Sequence, residues 1–346
     1  MEKVKVRPRR ITMKDVARRA GVSVPTVSKV LHEQENVKAE TVMRVREAFQ
    51  ELGYVPVGRP EAPSLTSIIM AFDTFGHDYG STVLTGALDE ASSLGLRTVL
   101  DYAPGLARAE SAAEWVERQV ALGSRAAVLI ATRVTHELVE AARMQGLALV
   151  AIDPKNAPDV GVVTVGSTSW AGVTVATNHL LELGHQRIAF AGYDDSVEYS
   201  VERFSAYRSA MERAGLSVRP EYVGQSDVSS LEKFEDSRKL GIKLARLDEP
   251  PTAVVCFCDA VAFGVIEGAR GEGLNTPKDL SVVGFDDIPA ARRFSPQLTT
   301  VRQPLVEMGA QAVRTAINMV DGQPPATAHL QLSTTFEMRG STASPG

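Results

Sequence analysis

The chain has 346 residues, of which 44% are hydrophobic and 23% are charged, and its formal net charge is −5. This length suits two or three compact domains better than one. No apolar run approaches the roughly 18–20 residues that a transmembrane helix needs, so the sequence predicts no contact with a membrane and favours a large buried core.

The basic start MEKVKVRPRR is not followed by an apolar segment, so we expect no secretory signal. The two cysteines, Cys256 and Cys258, are separated by one residue and cannot form a disulfide framework. We interpret them as core residues rather than a metal or redox site, because no histidine or second cysteine pair accompanies them. These features predict a protein of the reducing cytoplasm.

Charge is distributed unevenly along the chain. Residues 1–60 hold 13 Lys and Arg against 7 Asp and Glu, a net of +6, so the remaining residues carry −11. A basic end on an acidic body predicts an anionic partner for the first segment alone. A solvated basic tail is the alternative that charge by itself leaves open.

The segment TMKDVARRAGVSVPTVSKVL predicts two short helices. Thr12 can cap a helix over residues 15–20, since Asp15 lies three residues on and completes a capping box. Gly21 supplies a left-handed turn residue. Ser23 can cap the second helix, and Pro25 falls in its first turn, where a missing N–H is tolerated.

Small side chains allow these two helices to cross closely. Ala17 permits the approach, Gly21 makes the bend and Val27 fills the gap between them. A third amphipathic helix over residues 39–52 can cover the other side. This is the pattern of a helix-turn-helix, whose second helix enters the DNA major groove; an ordinary helical hairpin is the alternative.

The stretches MKDVARRAGVSVPTVSKVL and ENVKAETVMRVREAFQELGYVP resemble the DNA-binding headpiece of the lactose/galactose repressor (LacI/GalR) family. The resemblance implies a headpiece over residues 1–55, with base reading by Val24 and Pro25 and by a later basic residue, Lys29. Lysine can donate to a guanine edge, and valine can pack on a thymine methyl group. The hydroxyl side chains expected to hold phosphates are Thr12, Ser23, Thr26, Ser28 and Thr41.

The predicted linker, residues 56–66, departs from the family pattern. The run YVPVGRPEAPSLTS contains three prolines and a glycine, which leave no stretch able to nucleate a hinge helix. Arg59 is expected to reach a phosphate or the minor groove from an extended linker. Leu65 is the only candidate for a side chain that wedges between base pairs.

From residue 67 the sequence alternates between apolar strands, such as SIIMAF, AAVLIA and SVVGFD, and amphipathic helices. This alternation predicts a bilobed α/β body with two parallel sheets. HLLELGHQRIAFAGY and PTAVVCFCDAVAFGVIEG resemble the family's effector domain, which is similar to periplasmic binding proteins. We predict one lobe over 67–165 and 293–324, and the other over 166–292 and 325–340.

Ligands of open α/β sheets bind beyond the carboxyl ends of the strands, here between the lobes. From their places at strand ends and helix starts, we predict these effector-binding residues: Asp73, Tyr79, Asp153, Arg203, Asp259 and Phe285. The resemblance implies effector contacts for Arg203, Asp259 and Asp153. Carboxylates accept hydrogen bonds from hydroxyls, and a guanidinium donates in a fork, so a carbohydrate is expected. The alternative is that each aspartate caps a helix or pairs with a lysine.

Together these features predict a ligand-responsive repressor: a homodimer that binds a pseudo-palindromic operator, with a small-molecule effector and no cofactor. An enzyme on the same frame would need a nucleophile with its base, or a phosphate loop, and no such motif is evident. A solute-binding receptor for transport would need an export signal.

Overall fold

The structure is a computed structural model in which the chain divides into two units, residues 1–64 and 65–346. The residues that it describes are 12–31, 37–52, 66–74, 78–103, 111–157, 161–226 and 233–346. The predicted linker with Arg59 and Leu65 lies outside these ranges, apart from Thr66.

The described residues of the first unit form three helices, α1 (Met13–Ala20), α2 (Val24–Leu31) and α3 (Ala39–Leu52). The predicted capping box is confirmed, because Thr12 Oγ1 accepts a bond from the Asp15 amide at 3.4 Å and Asp15 Oδ2 accepts one from the Thr12 amide at 2.9 Å. Gly21 ends α1 with φ 66°, the left-handed conformation that the sequence predicted.

Small apolar side chains form the core of this unit. Ala17 from α1 and Val27 from α2 are buried with Val16 and with Val45 of α3. The close crossing expected from these residues is therefore present, and it fixes α2 against two neighbouring helices.

The second unit has two lobes, each built on a six-stranded sheet. Lobe I contains β1 (Ser67–Phe72), α4 (Asp78–Ser93), β2 (Arg97–Tyr102), α5 (Ala112–Ala121), β3 (Ala126–Ile130), α6 (His136–Gln145), β4 (Ala148–Ile152), β5 (Val163–Ser167), α11 (Leu305–Val320) and β11 (His329–Leu332). Its strand order is β2-β1-β3-β4-β5-β11, and all pairs are parallel.

Lobe II contains α7 (Ser169–Glu182), β6 (Ile188–Tyr193), α8 (Glu198–Arg213), β7 (Val223–Gln225), α9 (Lys233–Ala245), β8 (Ala253–Cys256), α10 (Asp259–Gly271), β9 (Ser281–Asp286), β10 (Thr299–Arg302) and β12 (Thr335–Glu337). Its strand order is β7-β6-β8-β9-β10-β12, and only the last pair is antiparallel. The predicted bilobed α/β architecture is thus confirmed.

The chain passes between the lobes three times, and two of the predicted crossings need correction. The first, between β5 and α7, lies within three residues of the expected position. The second follows β10 at residues 303–304 rather than near 292, and the third lies at 333–334 rather than near 325. The short strand β10 belongs to lobe II because it pairs with β9 through Thr300 and Val301.

Buried strands give each lobe its own core. Met70 and Val128 of lobe I, like Phe190 and Val254 of lobe II, have no solvent exposure. This burial explains why the strands read as continuous apolar runs. Among the described residues, none of the helices combines the length and apolar composition that crossing a bilayer requires.

Candidate functional site

Helix α2 presents a polar amino-terminal end. Ser23 Oγ accepts a hydrogen bond from the Thr26 amide at 3.3 Å, and the two hydroxyls lie 2.8 Å apart. Pro25 is exposed in the first turn, where its missing N–H breaks no hydrogen bond. Lys29 is exposed one turn further along. The start of α2 can therefore offer a proline ring, hydroxyls and a lysine to one surface.

The other predicted DNA-contacting residues of the first unit differ in their exposure and in the hydrogen bonds that they already make. Half-buried side chains are found at Val24, Thr26, Ser28 and Thr41. Thr12 is exposed, but its hydroxyl already donates to Asp15 Oδ2 at 2.6 Å. A phosphate contact by the Thr12 hydroxyl would therefore compete with the capping box.

Sequence reasoning did not single out Arg44, which fixes α3 on the turn between α1 and α2. Its guanidinium donates to the carbonyl of Ala20 at 2.7 and 3.2 Å and to that of Gly21 at 3.2 Å. These bonds satisfy carbonyls at the carboxyl end of α1, which otherwise have no partner within the helix. The arginine thus stabilises the turn that aims α2.

A cavity lies between the two lobes of the second unit. It sits at the carboxyl ends of the strands, where open α/β sheets bind ligands. Its walls are formed by Phe72, Asp73, Thr74, Tyr79, Gly80, Ile130, Ala131, Asp153, Lys155, Tyr199, Arg203, Phe257, Cys258 and Asp286. Four of the six predicted effector residues are among them.

The wall from lobe I carries two polar pairs. Tyr79 donates to Asp153 Oδ2 at 2.6 Å, and the Lys155 ammonium lies 2.8 Å from Asp73 Oδ2. Burial raises the pKa of Asp153, although the Tyr79 hydrogen bond and the charge of Arg203 act in the opposite direction. Burial, with the nearby Asp153 charge, raises the pKa of Tyr79 well above its usual value, so the phenol is a neutral donor.

The wall from lobe II is centred on Arg203, which is 3% exposed. Its Nη1 donates to the Phe257 carbonyl at 2.8 Å and lies 4.0 Å from Asp286 Oδ1. The guanidinium carbon sits 3.8 Å from the centre of the Phe285 ring. Its buried Nε has no hydrogen-bond partner. Because a buried donor without a partner is costly, this atom is suited to a ligand oxygen.

Aromatic rings complete the lobe II wall. Tyr199 lies one helical turn before Arg203 on α8, and its ring stacks on Phe257 with centroids 5.8 Å apart. Burial raises the pKa of Tyr199, so this phenol also stays neutral. The flat apolar faces of these side chains, beside charged groups, are suited to a ligand ring that carries polar groups at its edge.

Hydrogen bonds link the lobes beside and beneath the cavity. Glu198 of lobe II donates its amide to the Lys155 carbonyl of lobe I at 2.8 Å. At the second crossing, Gln303 accepts from Ser167 Oγ at 2.6 Å and donates to Asp286 Oδ1 at 2.7 Å. A change in lobe closure would therefore alter the surroundings of a cavity wall residue.

The comparisons with known proteins agree with this arrangement. Residues 12–57 match the family described as bacterial regulatory proteins, lacI family, and residues 177–342 match the periplasmic binding protein-like domain. The chain belongs to the LacI/GalR family of transcriptional regulators. It is therefore a DNA-binding regulator that responds to a ligand, and not an enzyme.

Similar LacI/GalR proteins match over nearly the whole chain. The HTH-type transcriptional repressor CytR of Escherichia coli K12 is 28% identical over 334 residues, 96% of each chain. The structure of the transcriptional regulator CelR in complex with cellobiose is 26% identical and has a TM-score of 0.69, covering 96% of this chain and 100% of that one. A lac repressor dimer bound to operator has a TM-score of 0.69 at 22% identity, covering 97% and 100%, and shows the same fold.

Two predicted effector residues of this LacI/GalR protein do not line the cavity, and the prediction is corrected for both. Asp259 is fully buried, and its carboxylate accepts from the Ile288 amide at 2.9 Å and from the Thr300 hydroxyl at 2.5 Å. Burial and the nearby Asp286 charge raise its pKa well above the usual range. Phe285 is 1% exposed and lies under Arg203. Both residues support the wall from behind.

Ten lining residues were missing from the predicted set, among them Lys155, Tyr199, Phe257, Cys258 and Asp286. A helical spacing of four from Arg203 could have identified Tyr199. Asp286 adjoins the chosen Phe285, but its φ of 113° reorients the chain at the strand end. Cys256 is a core residue as expected, whereas Cys258, although buried, lines the cavity.

Proposed function

We propose that this protein is a repressor that binds operator DNA through α2 and loses or gains operator affinity when a small molecule enters the cavity between its lobes. The observation that carries the proposal is the presence, in one chain, of a helix-turn-helix and a polar cavity between two lobes. The similarity to CytR, a transcriptional repressor, and to the CelR–cellobiose complex supports both halves of it. Such a regulator acts where the chromosome lies, in the cytoplasm.

In this proposal α2 lies in the major groove with its first turn against the bases. Pro25 and Lys29 are exposed there, and Val24 is half-buried beside them. Pro25 offers no side-chain hydrogen bond, so Lys29 supplies the main polar contact to a base edge. Ser23, Thr26, Ser28 and Thr41 are assigned to phosphates, together with Thr12 and with Arg59 of the linker.

Replacement of Lys29 tests the base contact. Lys29→Ala should weaken binding to the preferred operator by roughly 1–3 kcal/mol and relax the preference at one base pair. Selection of bound sites from random duplexes, repeated with the variant, measures both effects. Equal weakening on every sequence would mean that Lys29 contacts only phosphate. The matched control is Lys14→Ala, which removes an exposed lysine from α1 rather than α2.

We further propose that the protein acts as a homodimer through an edge of lobe I. Strand β2 ends the sheet and exposes Val99, Leu100 and Tyr102, with Tyr102 59% exposed. An exposed apolar edge strand can pair with the same strand of a second copy. Two copies related by a two-fold axis would present two α2 helices to a pseudo-palindromic operator.

The effector in this proposal is a carbohydrate or a carbohydrate derivative. Asp73, Tyr79, Asp153 and Arg203 offer acceptors and donors for ring hydroxyls, and Tyr199 offers a flat face. Asp259 and Phe285 act indirectly, because they hold the wall in place.

Substitution of Arg203 tests the effector site. Arg203→Ala should abolish the effect of an active sugar on operator binding while leaving operator affinity without sugar within about twofold of the original. Gel shifts with a panel of sugars measure both quantities, and an unchanged response would place the site elsewhere. Arg208→Ala on the same helix, an exposed arginine, is the matched control.

A further inference from the structure

The charged side chains that line the cavity include more carboxylates than cations. Among the described lining residues there are three carboxylates and two cations. Lys155 lies 2.8 Å from Asp73, and Arg203 lies 4.0 Å from Asp286. The third carboxylate, Asp153, is hydrogen-bonded at 2.6 Å to the neutral phenol of Tyr79. Among the described lining carboxylates, Asp153 is therefore the one without an ion pair within 4 Å, and Arg203 acts on it from a longer distance.

Within the described part of the chain, no lysine or arginine nitrogen lies within 4 Å of Asp153. Burial raises the pKa of this carboxylate more than the Tyr79 hydrogen bond and the Arg203 charge lower it. A buried charge without a close counter-ion is destabilising. A ligand that brings a positive charge to Asp153 would remove this cost.

We propose that the effector carries a protonated amine as well as hydroxyls, that is, an amino sugar, and that Asp153 binds the amine. The inference rests on the proposed function, in which the cavity binds a carbohydrate, and it specifies the class. A hydroxyl would also donate to Asp153, but the lining would keep its formal charge of −1. An ammonium supplies the donor and the missing charge together.

The other groups of the cavity are compatible with an amine. The aromatic rings of Tyr79 and Tyr199 line the same space, and a cation near such a ring is stabilised. The charge of Arg203 is offset by Asp286, which limits its repulsion of a second cation. An acidic sugar, by contrast, would add a fourth carboxylate to a lining that already has an excess of negative charge.

The experiment compares matched sugars on the full-length chain by isothermal titration calorimetry. The probes are glucosamine, galactosamine and mannosamine, each with its parent hydroxyl sugar and its N-acetyl derivative, which has no charge. At least one amine should bind tenfold or more tightly than both of its matched partners. This comparison needs no variant, so it does not depend on the folding of a mutant.

Two substitutions then test whether the charge of Asp153 causes the preference for an amino sugar. Asp153→Asn keeps an oxygen that can accept from Tyr79 but removes the charge, and the ratio of amine to parent affinity should fall towards one. Tyr79→Phe removes the neutral donor and keeps the charge, so the ratio should be retained even if all affinities change. Equal weakening of amine, parent and N-acetyl sugar by Asp153→Asn would overturn the inference.

The outcomes separate this inference from the proposed function. If neutral sugars bind and change operator binding, but no amine is preferred, the amine assignment is wrong and the carbohydrate effector stands. If no sugar of any form binds while the protein still shifts operator DNA, both the amine and the carbohydrate effector are wrong. Tight binding of one amine with loss of preference in Asp153→Asn supports the inference.

Discussion

The two lobes share one strand order and differ at their edges. In both sheets the second strand in sequence forms one edge and the first lies beside it, followed by the third, fourth and fifth. At that edge lobe I has β2, six residues long with exposed apolar side chains, and lobe II has β7, three residues long. Short edge strands resist pairing with other chains, whereas long apolar ones promote it. The same fold thus gives one lobe a surface suited to association.

The lobes also resemble each other in how one pair of helices packs. In lobe I, α4 and α11 approach at Gly309, where an added Cβ would lie 2.0 Å from the Val83 carbonyl oxygen. In lobe II, α9 and α10 approach at Gly268, where it would lie 2.1 Å from the Arg238 carbonyl oxygen. Backbone contacts this close are open only to glycine.

The largest expected effect comes from filling these helix contacts. Gly309→Val and Gly268→Val should each lower the free energy of unfolding by at least about 3 kcal/mol, because neither backbone can move away without separating its helix pair. Urea unfolding monitored by circular dichroism measures the loss.

The control for this prediction is Gly271→Ala at the end of α10, where an added Cβ meets nothing within 4 Å. It should change stability by no more than about 0.5 kcal/mol. If only one of the two valine variants destabilises the protein, the packing of the two lobes is not equivalent.

Local chemistry made much of the first unit predictable from sequence. The Thr12–Asp15 capping box and the left-handed Gly21 depend on residues within one turn of each other, and both are present as expected. In the second unit, apolar runs predicted the central strands, and strand ends placed Asp73 and Asp153 at the cavity. These are inferences from near neighbours and from a period of two or 3.6 residues.

What the sequence did not reveal depends on tertiary geometry. Asp259 and Asp153 both follow strands, yet one turns into its own lobe to hold Thr300 and the other faces the cavity. Strand β10 is four residues long, and its lobe is decided by pairing with β9 rather than by its own pattern. Lys155 lies in a loop after β4, where no periodicity predicts a direction.

An intermediate effect is expected from a charge on the lobe I edge. Leu100→Glu places a carboxylate on β2, at a side chain that is 51% exposed. If this edge joins two copies, burying the charge should weaken self-association at least 100-fold, about 2.8 kcal/mol. Sedimentation velocity across a concentration series measures the shift towards monomer.

The matched variant for the edge comparison is Gln225→Glu on β7, which adds the same charge to the corresponding edge of lobe II. It should leave self-association unchanged. Equal effects of the two variants would mean that charge alone weakens the dimer. No effect of either one would move the interface away from β2.

The smallest expected effect concerns the carboxyl-terminal segment, which is bound to lobe II through His185. The Nε2–H of this buried imidazole donates to the Ala343 carbonyl at 2.9 Å, and Nδ1 lies 2.9 Å from Thr252 Oγ1. Burial lowers the pKa of His185, and the nearby His179 acts in the same direction against the Ala343 hydrogen bond. The folded state therefore favours the neutral ring.

Because the folded pKa lies below the unfolded one, the unfolded chain takes up a proton first as the pH falls. Stability from this contact is present above the ordinary histidine pKa of about 6.5 and is lost as the pH falls through the folded value. His185→Gln cannot titrate but can still donate to a carbonyl, so thermal unfolding of this variant should depend less steeply on pH between about 7 and 5. The same dependence in both proteins would show that the imidazole does not contribute.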